Sequence, residues 1–382
     1  MKKIKKGLLA FASLAALAAA AVFLFSQRAG EVEWKPGSPL AKERVKIGVL
    51  YTSDPFRETG GYSFAHEAGI RKMQEKIGLQ DDQILRKVKV LHGDAQAVEH
   101  TIMECIFEGA NVIIATSWSY VSACEALAFK YPGVVFVYVG GNRRNGTNFT
   151  YYFGRAYQAR YLSGIVAGLK TTANKLGYVA AMGKSNSEVT NGVNAFALGV
   201  ESVNPDARVY VEVTHRWFYP EGETQAARSL IEFGCDVITQ HCDTPNPQIE
   251  AQRAGVWGIG YSSDMKKDAP SAVLTSVMWN WGVYYEKLIQ SLIDGSFTTE
   301  PYIGDLKDGM VGITPLNEPL LPPNAAEAAA AARKRIENGE FDVFEGPMET
   351  NDGQIVGYKG GRFSYGELSS AINWYYRNVT ER

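Results

Sequence analysis

The chain has 382 residues, 46% of them hydrophobic and 21% charged, an ordinary globular composition with room for two or three domains. That excludes a disordered chain, a collagen-like fibre and a polytopic membrane protein. Lys and Arg number 39 against 41 Asp and Glu, a formal charge of -2, so neither nucleic acid nor an acidic lipid surface is an expected partner.

Lys2, Lys3, Lys5 and Lys6 precede an uncharged run from Gly7 to Phe25 in which Ser13 is the one polar residue. A positive start followed by a long apolar stretch is an export signal. The run approaches the ~20 residues needed to span a bilayer as a helix. Residues 1–30 therefore read as a signal peptide or as an N-terminal membrane anchor. Ala19-Ala20-Ala21 fits a small-x-small cleavage site, and no Cys occurs before Cys105, which argues against a lipid-modified cysteine. In either case the body is exported, to the periplasm or the outer face of the cytoplasmic membrane. Residues 31–43, with Pro36, Gly37 and Pro39, read as a spacer.

From Val45 onward, short apolar runs alternate with segments of helical length. Strands are expected at 45–51, 88–91, 111–115 and 134–139, with helices at 61–77, 100–108 and 121–130. The pattern then restarts. A helix at 161–169 carries the small residues Ser163, Gly164 and Gly168, and strands follow at 176–180, 209–213, 236–240, 256–260 and 272–277. A helix at 279–293 closes this half. This order implies an α/β protein of two Rossmann-like lobes, each with a parallel sheet covered by helices. Fully apolar strands such as Val134-Val135-Phe136-Val137 agree, because parallel strands are buried on both faces. The lobes are placed at 44–152 and 153–275. Crossovers near 148–155 and 271–278 make a hinge of more than one strand, with a return segment at 276–315. Residues 316–382 form an accessory segment: a proline-rich stretch, an alanine-rich helix at 325–336, a hairpin region, and a last helix at Trp374-Tyr375-Tyr376.

Ligands of open parallel sheets bind beyond the carboxyl ends of the strands, so the residues after each strand are the candidates. Several such positions pair an aromatic with a small polar or acidic residue. They include Ser117-Trp118, Trp217-Phe218, Cys242-Asp243, Tyr261-Ser262-Ser263-Asp264 and Trp279-Asn280-Trp281. Trp118 and Trp217 read as flat platforms for a ring, whereas Trp279 and Trp281 read rather as core. Aromatic faces beside carboxylates suit a planar polar ligand such as a purine, and equally a sugar.

At these same residues the sequence resembles a known family. Gly60-Gly61-Tyr62-Ser63-Phe64-Ala65-His66-Glu67 is similar to its first-loop motif, and Tyr152-Phe153-Gly154-Arg155 with Tyr161-Leu162-Ser163-Gly164 to its crossover motif. Trp217-Phe218-Tyr219-Pro220, Gly260-Tyr261-Ser262-Ser263-Asp264-Met265 and Trp279-Asn280-Trp281-Gly282 resemble later ones. The family is the basic membrane protein, or purine nucleoside receptor-like, group of ABC-transporter substrate-binding proteins. The resemblance implies a type I periplasmic-binding-protein fold and capture of a purine nucleobase or nucleoside for an ABC permease. It implies ligand-binding roles for Tyr62, Ser117, Trp118, Asn191, Trp217, Phe218, Asp243 and Asp264. Residues 187–192 depart from the family's commoner Val-Val-Arg-Gly pattern, and Cys242 stands where a hydroxyl or small residue is usual.

No catalytic residue, metal or cofactor is expected. The five histidines show no HExxH spacing, the glycine turns lack a phosphate-cradling pattern, and there is no GxSxG elbow. The four cysteines are expected as buried thiols. The sequence reads as a monomeric exported binding protein. The alternatives are an exported nucleoside-processing enzyme, which would need a general base or metal cluster in the cleft, and a membrane-anchored purine sensor.

Overall fold

The computed structural model describes residues 34–90 and 93–382. The export segment at 1–30 and the start of the spacer lie outside the described residues. Two sheets form the body. The first is β1 (Ile47–Leu50), β2 (Ile84–Lys87), β3 (Val112–Ala115), β4 (Val135–Val139) and β5 (Phe149–Gly154), joined by β11 (Tyr302–Gly304) in the order β11-β5-β4-β3-β1-β2, all parallel. The second is β6 (Lys175–Ala180), β7 (Arg208–Val213), β8 (Val237–His241), β9 (Trp257–Ser262) and β10 (Val273–Trp279). To these are added β12 (Val311–Ile313) and β15 (Val379–Glu381), in the order β12-β10-β9-β8-β6-β7-β15. Only β12 runs antiparallel in that sheet.

Every residue of β1, β3, β4 and β8 is buried, as strands covered on both faces must be. Helices α1 (Tyr62–Ile77), α2 (Ala95–Phe107) and α3 (Val121–Lys130) serve the first lobe. The second lobe has α4 (Ala156–Lys170), α5 (Ser187–Glu201), α6 (Pro220–Glu232) and α7 (Asn246–Ala254), and α8 (Gly282–Asp294) returns to pack on α1. Glycines in the left-handed region, Gly78, Gly255 and Gly295, end α1, α7 and α8.

The chain passes between the sheets three times: after β5, after β10, and between β11 and β12. The sequence reading marked the first two crossovers; the third falls inside its return segment. Two elements differ from expectation. The second strand is Ile84–Lys87 rather than 88–91, of which Leu91 lies outside the described residues. It is a half-covered edge strand whose Arg86 and Lys87 pair with acids, so its apolar pattern is weak. The C-terminal segment has α9 (Ala325–Glu337), a hairpin of β13 (Met348–Glu349) and β14 (Ile355–Val356), and α10 (Tyr365–Ser370). Trp374-Tyr375-Tyr376 is not helical; it is an irregular stretch leading to β15, in which the Tyr376 N–H donates to Asn194 Oδ1 at 2.8 Å. The aromatic run is buried for packing on α5, not because a helix repeats it.

All four cysteines are buried and unpaired. Burial pushes Cys105 up to about 11, and Cys124 and Cys235 up to about 12, so they are inert thiols at neutral pH.

Candidate ligand-binding cleft

Loops at the carboxyl ends of β1, β8 and β9 meet between the lobes. Gly61 N–H donates to Ser263 Oγ at 3.1 Å, and Thr59 Oγ1 donates to Asp268 Oδ1 at 3.1 Å. Gly61 has φ +95°, and a Cβ there would lie 2.5 Å from the Asp243 carbonyl oxygen. Only glycine allows so close an approach, so the first loop is built to touch the opposite lobe. The loops of the two lobes are in contact here.

Behind these loops sits an enclosed polar and aromatic cluster. Tyr62, the first residue of α1, packs edge-on to His66 at 4.5 Å, and its hydroxyl feels Glu188, Tyr261 and Asp243 from the other lobe. His241 ends β8 and is 2% exposed. Its ring lies 5.7 Å from Trp217 and 4.5 Å from Tyr261, and its Nδ1 is 3.3 Å from the Tyr178 hydroxyl. Asp243 N–H donates to the Trp217 carbonyl at 2.8 Å, which fixes aromatic and carboxylate side by side. The buried Glu223 shapes that loop, accepting from Thr244 N–H at 3.1 Å and Tyr219 N–H at 2.9 Å.

The electrostatics are acidic. Burial, then Glu223, Glu58 and Glu188, hold the Asp243 carboxyl well above the usual carboxylate range. Burial pushes Glu188 up to about 7, opposed by Arg160, and also raises Glu58. Burial, with Arg160, keeps His241 well below its usual value, hence neutral at pH 7. Arg160, from α4, is wholly buried. It donates from Nη1 to the Gln240 carbonyl at 2.7 Å and lies 4.4 Å from the Tyr261 ring centre. The Asp243 carboxylate accepts no hydrogen bond among the described residues. His241 Nε2, Ser262 Oγ at the end of β9, and Arg160 Nε and Nη2 are buried without partners. Each such group costs ~1–3 kcal/mol when left unpaired, a cost that ligand or water in the cleft would offset.

The structure brings Tyr62, Trp217 and Asp243 together around His241. Ser117 is buried and bonds Ser119 Oγ at 2.9 Å, which starts the turn presenting Trp118. Trp118 and Phe218 are 66% and 59% exposed, so they stand outside this enclosed cluster. Asp264 is exposed and accepts from Lys266 N–H at 3.0 Å, capping a short turn. Asn191 donates to the Leu368 carbonyl at 3.0 Å and so holds the accessory segment. Sequence reasoning passed over Glu188 and Arg160, and gave His241 no role in the site. Glu188 lies in the first turn of a helix that follows a parallel strand, which is a cleft position, and that signal was present. Among the described residues no three His, Cys, Asp or Glu side chains gather closely enough to hold a metal ion. A separate recess of about 430 Å³, bordered by Trp34, Leu40, Asn111, Tyr131 and Pro132, lies at the amino ends of β3 and β4, the opposite end of the sheet from the cleft.

Two hinged α/β lobes closing on an interlobe cleft define the type I periplasmic-binding-protein class. An ABC-transporter solute-binding protein from Conexibacter woesei superposes with a TM-score of 0.66 at 19% identity, over 78% of this chain and 98% of that one. One from Aeropyrum pernix gives 0.66 at 15% identity, over 78% and 92%. The chain belongs to the PnrA-like family of ABC transporter substrate-binding proteins (Bmp), whose model matches residues 45–340. It is 30% identical over 346 residues to a purine-binding protein of Brucella abortus (strain 2308), covering 91% of this chain and 96% of the relative. It is 33% identical over 323 residues to a Haloferax volcanii protein named as an ABC transporter glucose-binding protein, covering 83% and 78%. The family consists of substrate-binding proteins rather than enzymes, and its members are periplasmic or membrane-associated. Among the described residues no helix is long and apolar enough to cross a membrane.

Proposed function

We propose that the protein captures a purine nucleobase or nucleoside between its lobes and hands it to an ABC permease. The observation that carries this reading is the set of Tyr62 and Trp217 beside the Asp243 carboxyl, planar faces next to a hydrogen-bonding group. The name of the Brucella relative supports it. In this reading Tyr62 and Trp217 flank the ring, and Asp243 accepts from N–H groups or ribose hydroxyls. Trp118 and Phe218 line the rim with Ser117. Asn191 and Asp264 act through the accessory segment and the β9 turn. Residues 1–30 direct export, or tether the protein beside its permease.

A sugar is the second reading, because the Haloferax relative is named for glucose and aromatics with carboxylates also suit sugars. Calorimetric titration with adenine, guanine, hypoxanthine, their nucleosides and glucose separates the two. Tight binding of a purine with no heat from glucose is the expected result; the reverse would replace the purine by a sugar.

A further inference from the structure

Glu188 lies in the first turn of α5 with its carboxyl 3.7 Å from His241 Nε2. That nitrogen is buried and has no hydrogen-bond partner. The Glu188 carboxyl also accepts no hydrogen bond among the described residues, and its side chain keeps 32% exposure, so it is not closed into the packed core. The groups facing it come from every neighbouring element: Arg160 on α4, Tyr178 on β6, His241 on β8, Asp243 after β8, Tyr261 on β9, Tyr62 on α1 and Tyr365 on α10. Arg160 is engaged by the Gln240 carbonyl and the Tyr261 ring, and forms no ion pair with Glu188 among the described residues. A carboxyl and an imidazole nitrogen thus stand side by side, neither with a hydrogen-bond partner among the described residues.

We propose that Glu188, with His241 behind it, reads the hydrogen-bonding edge of the captured purine and so sets which purine the cleft prefers. The inference rests on the purine reading above and goes beyond it by naming the residue and the edge. An ionised carboxylate offers two adjacent acceptors, which match the paired N1–H and N2–H donors of a guanine edge. A protonated carboxyl offers one donor and one acceptor, which match the exocyclic amine and neighbouring ring nitrogen of adenine, as an Asn or Gln amide does. Burial places the Glu188 transition near neutrality, and His241, already neutral there, adds no competing charge. The cleft therefore favours an adenine edge below that transition and a guanine edge above it.

The test is calorimetry of wild type and E188Q with adenine and guanine, each as base and nucleoside, at about pH 5.5 and about pH 8.5. In wild type the guanine-to-adenine affinity ratio rises about tenfold or more between the two. In E188Q, whose amide keeps one donor and one acceptor at every pH, the ratio is flat. The variant binds adenine within about threefold of wild type at the lower pH and guanine about tenfold more weakly at the higher. A wild-type ratio that does not move with pH, or the same movement in E188Q, overturns the assignment while leaving the purine reading intact. A wild type that binds no purine at either pH overturns both.

Discussion

At the scale of single residues, the cleft combines platforms with underpaired polar groups, and each makes a separable contribution. Stacking on a base is worth ~1–3 kcal/mol by alanine substitution, so Trp217→Ala lowers purine affinity by about fivefold or more in calorimetry. Asp243→Asn keeps the shape but turns one acceptor into a donor, and it weakens binding by a similar factor. Near-wild-type affinity in both variants would remove them from the site. Glu188 also leaves a mark on stability. Its ordinary value is 4.5 and its folded-state value about 7, so between these the folded chain holds the proton more tightly than the unfolded one. Stability contributed by this group therefore falls as pH rises from 4.5 to about 7, and the loss is complete above that. Glu188→Gln removes the dependence. In thermal melts the variant should match wild type near pH 4 and exceed it by a few degrees near pH 8; equal differences at both would show that Glu188 does not titrate in this window.

At the scale of elements, two close approaches govern how the pieces fit. Helices α4 and α5 cross with Gly164 against the Phe196 carbonyl and Gly199 against the Tyr161 carbonyl, leaving no room for a side chain at either. Gly164→Ala pushes the helices apart and destabilises by about 1–3 kcal/mol, read as a lower denaturation midpoint. The Gly61 loop acts on closure instead. Gly61→Ala adds a Cβ against the Asp243 carbonyl and a penalty at φ +95°, so affinity drops about tenfold while the lobes keep their own stability. An unchanged Kd would mean that the lobes do not meet there when ligand is bound. The small residues Gly164 and Gly168 that stood out in the sequence lie where α4 meets α5. The sheets were legible, since Val135–Val139 and Val237–His241 carry apolar runs that few other settings accommodate. The edge strand Ile84–Lys87 was not legible, because half its side chains face charge partners. Nor was the accessory segment, whose aromatic run is dictated by the groove it fills. In the cleft, Trp217 and Asp243 were singled out by their places after strands, and Tyr62 by the family resemblance. Glu188 sits at a position the sequence marks, the first turn of a helix after a parallel strand, but a glutamate there reads as ordinary capping chemistry until the fold sets His241 beside it.

At the scale of the whole molecule, three connections join the lobes, so closure is a hinge motion rather than a separation. Small-angle scattering should show the radius of gyration fall when a saturating purine is added to ligand-free protein; no change would place the empty protein already in the closed state. The near-neutral charge suits an uncharged cargo.

The threading of the chain through both sheets also bears on synthesis. The first sheet waits for β11, at residues 302–304, and the second for β15, at residues 379–381, before either is complete. Neither lobe can finish folding as it leaves the ribosome, so both mature together and late. Sheets that draw strands from residues 302–304 and 379–381 set the slow folding step by contacts made across most of the chain's length.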